Sequence, residues 1–166
     1  AIEWLTVAYL VFTLVIVLFA YTRVENPQAM IWGRVRIAAM TAALWVAYRM
    51  VPCGLTRVVR VTTQLALLAW WYPDTYEINR MLPNLDHVFA TWEQQWFGCQ
   101  PALYFAAALP SHVVSELMSM GYASYYPMIA VVVFYYLFCR YNEYERVAFV
   151  VLATFFIYYV VYIFVP

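Results

Sequence analysis

Three runs without a charged residue, Trp4 to Thr22, Leu117 to Cys139 and Val147 to Pro166, set the terms on which this chain can fold. Each is close to the length, about 20 apolar residues, that carries a helix across a bilayer. Lipid offers no partner to a free N–H or C=O, so a segment this apolar must bond its backbone within itself, as a helix. The rest of the composition agrees: 67% of residues are hydrophobic and 11% charged, against about 25% charged in a soluble domain. The sequence therefore predicts an all-α fold, a polytopic integral membrane helical bundle of four to five spans, organised as a single transmembrane domain over residues 1–166.

The first span is Trp4 to Thr22, with Trp4 and Tyr21 at its ends, where amphipathic rings favour the interface. A polar connection from Arg23 to Arg36 holds Asn26-Pro27, a turn signal. The second span runs from about Ile31 to Val51, its Arg49 near enough to the end to snorkel to the headgroups, and Pro52-Cys53-Gly54 breaks it. The third, Val58 to Tyr72, begins near Arg60 and closes on Trp70-Trp71-Tyr72, read as an interfacial anchor. Leu117–Cys139 and Val147–Pro166, joined by the polar linker Arg140 to Arg146, make the fourth and fifth. Their many tyrosines, among them Tyr122, Tyr125, Tyr126, Tyr135, Tyr136, Tyr158, Tyr159 and Tyr162, leave two readings open: phenols lining a polar cavity, or interfacial rings and ordinary packing.

Between the third and fourth spans lies a stretch of different character. Residues 72–120 hold five of the nine acidic residues and both histidines, and Pro73, Pro83, Pro101 and Pro110 divide them into short pieces. Leu85, Val88, Phe89, Trp92 and Trp96 share one helical face, Asn84 can cap the start and Gly98 can end it. Pro101 suits the first turn of a second short helix and Ser111 the cap of a third. This pattern predicts an amphipathic helical cap lying in the membrane interface.

Charge and cysteine usage narrow the partners. The net charge is zero, the basic residues are all arginine, and no basic run is present, which leaves membrane lipids as the expected partner and argues against nucleic acid. Cys53, Cys99 and Cys139 have no metal-like spacing and read as small apolar fillers, with one disulfide as the alternative. The first run has neither basic front nor cleavage site of a signal peptide, and the end at Phe164-Val165-Pro166 reads as a piece of a longer protein. Counting arginines at the two sides gives five against four, a margin that with the acidic cap favours an inside N-terminus and an outside cap.

Few residues offer chemistry. His112 and Glu116 share a helix face four residues apart, half of a metal or acid–base site, but no further ligand accompanies them and a solvated helix face accounts for them better. Pro110-Ser111-His112 lacks the residue that a phosphate-handling Pro-Ser-x-His would place before its histidine, and Asp86-His87 is adjacent instead of facing. Asp74, Glu77 and Arg80 lie beside the tryptophan anchor at headgroup depth, where Arg80 could contact a lipid phosphate or simply neutralise its acidic neighbours. These three are the candidate headgroup contacts; no catalytic residue, metal site or cofactor is assigned.

The stretches WYPDTYEINRMLPNLDHVFATWEQQWFGCQPAL, MGYASYYPMIAVVVFYYLFCRYNEYERVAF and FFIYYVVYIFVP resemble the N-terminal part of bacterial membrane proteins of the phosphatidic acid phosphatase type 2 superfamily, in the branch that includes inositol phosphorylceramide synthases. The resemblance covers about Trp70 to Pro166. It implies a bacterial inner-membrane helical bundle acting on a lipid phosphate without metal: a histidine nucleophile takes the phosphoryl group, a second histidine protonates the leaving alcohol, and Lys or Arg side chains hold the phosphate. The motifs carrying those residues would follow Pro166, so none is carried onto this chain. The resemblance thus implies the N-terminal membrane scaffold of a lipid-phosphate phosphatase or phosphotransferase. The alternative is a non-enzymatic integral membrane subunit with a docking or lipid-binding surface.

Overall fold

A computed structural model describes residues 1–165 of the chain as eight helices: α1 (Ile2–Phe19), α2 (Pro27–Met50), α3 (Gly54–Ala66), α4 (Leu68–Asn79), α5 (Asp86–Phe97), α6 (Pro101–Ala108), α7 (His112–Cys139) and α8 (Tyr141–Phe164). Four of them, α1, α2, α7 and α8, are long and apolar enough to cross a membrane. Pro166, the expected end of the last span, lies outside the described residues. The chain divides into two compact units, one formed by Ala1–Pro83 with Asn142–Pro166 and the other by Asn84–Tyr141.

In the first unit the helices bury polar groups among apolar ones and turn other large apolar side chains outward. α1 buries Ile2, Thr6, Tyr9, Leu10, Thr13 and Val17, a stripe at helical spacing that includes its hydroxyl side chains, while Val7, Val11, Val15, Leu18 and Phe19 face outward. α2 does the same with Met30, Arg34, Ile37 and Thr41. α8 contributes Tyr144, Ala148, Leu152, Phe156, Tyr159 and Ile163. Polar groups paired inside among apolar ones, with large apolar side chains outside, suit a hydrocarbon solvent, where hydrogen bonds and close packing drive helix association.

The third span differs from expectation. No single helix covers Val58–Tyr72: α3 ends at Ala66, Leu67 forms a turn and α4 begins at Leu68, extending past Pro73 to Asn79. Pro73 inside α4 has no N–H to offer the turn before it. A neighbouring carbonyl finds its partner on another helix, since the Tyr159 hydroxyl donates to Leu68 O at 3.1 Å. Placed end to end, α3 and α4 still run the length of α1: Arg60 meets Glu3, Gln64 meets Thr6, Thr75 meets Tyr9, and Ile78 joins Val17 in one apolar cluster.

The tryptophan triplet also divides. Trp71 is wholly buried, edge-on to Tyr9 and Phe156, and Tyr72 alone faces outward. Trp70 lies on α2 at Gly33, where an added Cβ would stand 2.8 Å from its ring. An anchor of three interfacial rings is therefore replaced by one interior ring, one seated on a helix backbone and one outward.

In the second unit, α5 and α6 match the expected short helices. Asn84 Oδ1 accepts from the Asp86 N–H at 2.6 Å, and Gly98 ends α5 with φ +69°, a left-handed conformation that glycine adopts without strain. Ser111 occupies the N-cap of α7, yet its hydroxyl makes no cap bond. The stretch 72–120 is not one element: Tyr72–Asn79 belong to α4 in the first unit, and His112–Met120 are the opening turns of α7.

The cysteines are free, with Cys53 and Cys139 exposed. Cys53 is not a filler: its Sγ accepts from the Thr56 N–H at 3.5 Å while Thr56 Oγ1 accepts from the Cys53 N–H at 3.2 Å, a reciprocal box that starts α3.

Candidate functional site

The first unit concentrates its polarity in a ladder between α1, α2, α3, α4 and α8. At one end Arg60 binds Glu3 at 2.9 Å and also reaches Glu145, with its guanidinium 4.3 Å above the Tyr48 ring. Arg57 joins Glu145 at 3.3 Å. Further along, Thr6 donates to Gln64 Oε1 at 2.9 Å, and Gln64 Nε2 donates to Thr41 Oγ1 at 3.2 Å, tying α1, α3 and α2 together. Next, Tyr9 meets Thr75 at 3.0 Å; Thr75 already donates to Trp71 O at 2.8 Å, so the tyrosine is the donor.

Also fully buried in this sequence of contacts is Arg34, 1% exposed. Its Nη1 and Nη2 hold both oxygens of Asp74 at 3.1 and 2.7 Å, Nη1 also donates to Met30 O at 3.0 Å, and Nε donates to Thr13 Oγ1 at 3.2 Å. A two-pronged guanidinium–carboxylate pair with its remaining donors placed on a carbonyl and a hydroxyl is the arrangement that lets two charges sit together out of water. Two buried donors stay without a hydrogen bond, Trp71 Nε1 and Arg60 Nε.

The three candidate headgroup residues are thereby separated. Asp74 is buried and committed to Arg34. Glu77 and Arg80 stay at the surface and pair with each other at 3.4 Å, Arg80 also reaching Glu25 at 3.3 Å. The neutralising role for Arg80 is thus present in the structure, with Glu25 as a partner that sequence spacing did not reveal.

In the second unit His112 Nδ1 lies 3.5 Å from Glu116 Oε1, and both side chains are exposed, 87% and 66%. A shallow cleft at the α6–α7 elbow is lined by Phe105, Leu109, Ser111, His112, Ser115 and Met118. Among the described residues no three His, Cys, Asp or Glu side chains converge as a metal site would need. Asp86 and His87 are both exposed on α5.

Sequence reasoning missed Arg34, Gln64, Thr6, Thr13 and Tyr9. Their signal was the spacing of Thr6, Tyr9 and Thr13 at three and four residues within an uncharged span, matched by Arg34 and Thr41 at seven residues in the next. Of the tyrosines left open, Tyr159 is interior, while Tyr122, Tyr125, Tyr126, Tyr135 and Tyr158 are exposed.

Compared with known protein families, with curated proteins and with solved structures, the chain matches none.

Proposed function

We propose that this chain is the membrane scaffold of a lipid-phosphate phosphatase or phosphotransferase whose catalytic motifs lie beyond residue 166. The reading rests on the resemblance over Trp70–Pro166, and one structural observation supports it: the charged groups at the core of the first unit bind one another. Arg34 is taken by Asp74, and Arg60 by Glu3 and Glu145. A bundle locked in this way holds its helices in fixed register and leaves no interior cation to grip a transferred phosphoryl group. His87 and His112, the histidines of the chain, stand outward on helices of the other unit. The scaffold acts at the bilayer, with a lipid phosphate as the substrate class of the whole enzyme, and the inner membrane of a bacterium with the α5–α6 helices outward as its setting.

A second reading, a non-enzymatic membrane subunit, is favoured by α7, on which no residue is buried. One experiment separates them. Phosphate release from phosphatidic acid is measured in proteoliposomes holding either residues 1–166 or the complete gene product. The scaffold reading expects release only from the complete product, unaffected by His87→Ala or His112→Ala. Release by residues 1–166 that His112→Ala abolishes would sink it. An inert complete product that copurifies with another membrane protein would favour the subunit.

A further inference from the structure

From the outer face of α2 we infer a binding site for a lipid phosphate centred on Arg36, with Trp32 beside it. Arg36 is exposed on a helix long and apolar enough to cross the membrane. Its outward neighbours are Trp32, 62% exposed, and Val35, 49% exposed. Arg34, two positions earlier, is turned inward and held by Asp74, so the helix presents one arginine to the bundle and the next to lipid. No carboxylate or ring of the described chain meets Arg36, whereas Arg49 near the other end of α2 lies 5.3 Å over the Trp45 ring.

Helix geometry then decides where Arg36 must find its counter-charge. Arg36 and Arg49 are about 20 Å apart along the axis at 1.5 Å per residue, and the hydrocarbon core is roughly 30 Å thick. Both Cα atoms therefore cannot lie at its two edges, and at least one side chain must reach its partner from inside the slab. Arg49 has its indole. Arg36 needs an anion that the membrane itself supplies, and the phosphate of a phospholipid is that anion. Helical side chains lean toward the N-terminus, which aims Arg36 along Trp32 toward the nearer surface. There the planar fork can take two phosphate oxygens and the indole N–H can donate to the same headgroup. The acyl chains lie along Val35 and Ala39, which are outward too.

The site is independent of the scaffold reading, because it belongs to the lipid-facing side of the first unit and needs no catalysis. Its test is lipid retention by the whole chain, purified from nanodiscs of phosphatidylglycerol and a phosphate-free galactolipid and released into the gas phase for native mass spectrometry. The wild type should keep a phosphatidylglycerol, and Arg36→Leu should lose it with roughly tenfold weaker retention, the scale of one lost charge-assisted pair. Arg36→Lys, a charge without the fork, should fall between them. Leucine suits a lipid-facing helix, so the variant should fold, and the lysine variant provides the reading if it does not. Equal retention by wild type and both variants, equal binding of the galactolipid, or displacement of the lipid by inorganic phosphate would each overturn the proposal.

Discussion

Arg34 and Asp74 show at the scale of single residues how a charge is carried into an apolar bundle. Neither side chain is tolerable alone; together, with Thr13 and Met30 O completing the donors, they are. Removing one partner leaves the other buried and unpaired, so Asp74→Leu should destabilise the fold by about 3–5 kcal/mol. The double replacement Arg34→Met with Asp74→Leu should recover most of that loss. Reversible unfolding in mixed micelles checks both, and a double variant no better than the single would show that the pair is not the coupled unit described. Gly33 is a second such position: its Cβ-free backbone receives the Trp70 ring, and a methyl group would meet that ring at 2.8 Å. Gly33→Ala should weaken the fold by about 1–3 kcal/mol, as overpacking does, and Trp70→Leu in the same chain should relieve it.

At the scale of elements, one helix start and one helix face carry expectations. The Cys53 thiol is held below its ordinary range first by the Thr56 side-chain hydrogen bond and then by the Thr56 N–H. Its thiolate is accordingly present at lower pH than that of a free cysteine. Thr56→Val removes the hydroxyl, so the thiol should titrate higher and the pH profile of alkylation should move upward; Cys99 and Cys139 are replaced by serine to isolate the signal. An unmoved profile would contradict the capping box. On α5, Phe89, Trp92, Trp96 and Phe97 are all outward. Trp92→Asp or Trp96→Asp should lift that helix from the bilayer and reduce quenching of the remaining α5 tryptophan by lipid-borne bromine, measured with the other tryptophans replaced by phenylalanine. α1, α7 and α8 were legible in the sequence because an uncharged run of this length has only one structure in lipid. The end of α5 was legible because Gly98 is chemically specific there, whereas its N-cap is Leu85, one residue after the expected Asn84. The break at Leu67 was not, because leucine is no breaker and the kink depends on a tyrosine ninety-one residues away, Tyr159. The polar ladder was hidden for a related reason: threonine, tyrosine and glutamine in an apolar run reveal their direction only once their partners are known.

For the molecule as a whole, the ladder fixes the direction of each rod in the first unit. Glu3, Arg60 and Glu145 meet at one end, and Val17, Ile78 and Ile163 at the other. α1, the α3–α4 pair and α8 therefore run the same way, and α2 returns between them. Pro83 and Asn142 consequently lie at opposite ends of this unit, and the chain between them contains α7, 28 residues and roughly 42 Å long at 1.5 Å per residue. Four helices are long and apolar enough to cross a membrane, and α3 and α4, placed end to end, would add a further crossing. An impermeant maleimide should label Cys53 and a cysteine placed at Ala1 from the same face, and cysteines placed at Glu25 or Arg80 from the opposite face. Labelling of Cys53 and Arg80→Cys from one face would remove the α3–α4 crossing.

The shared carboxylate of Glu145 also has a consequence for how the protein is made. Arg57 and Arg60 emerge from the ribosome long before it does, since Glu145 follows Arg60 by 85 residues. At about 5–20 residues per second, that gap lasts on the order of several seconds, during which Arg57 and Arg60 are without the Glu145 carboxylate. α3 carries both arginines in 13 residues, so its insertion should be completed only once α8 arrives. A nascent chain stopped before Glu145 should then expose α3 to protease while α1 and α2 are already protected.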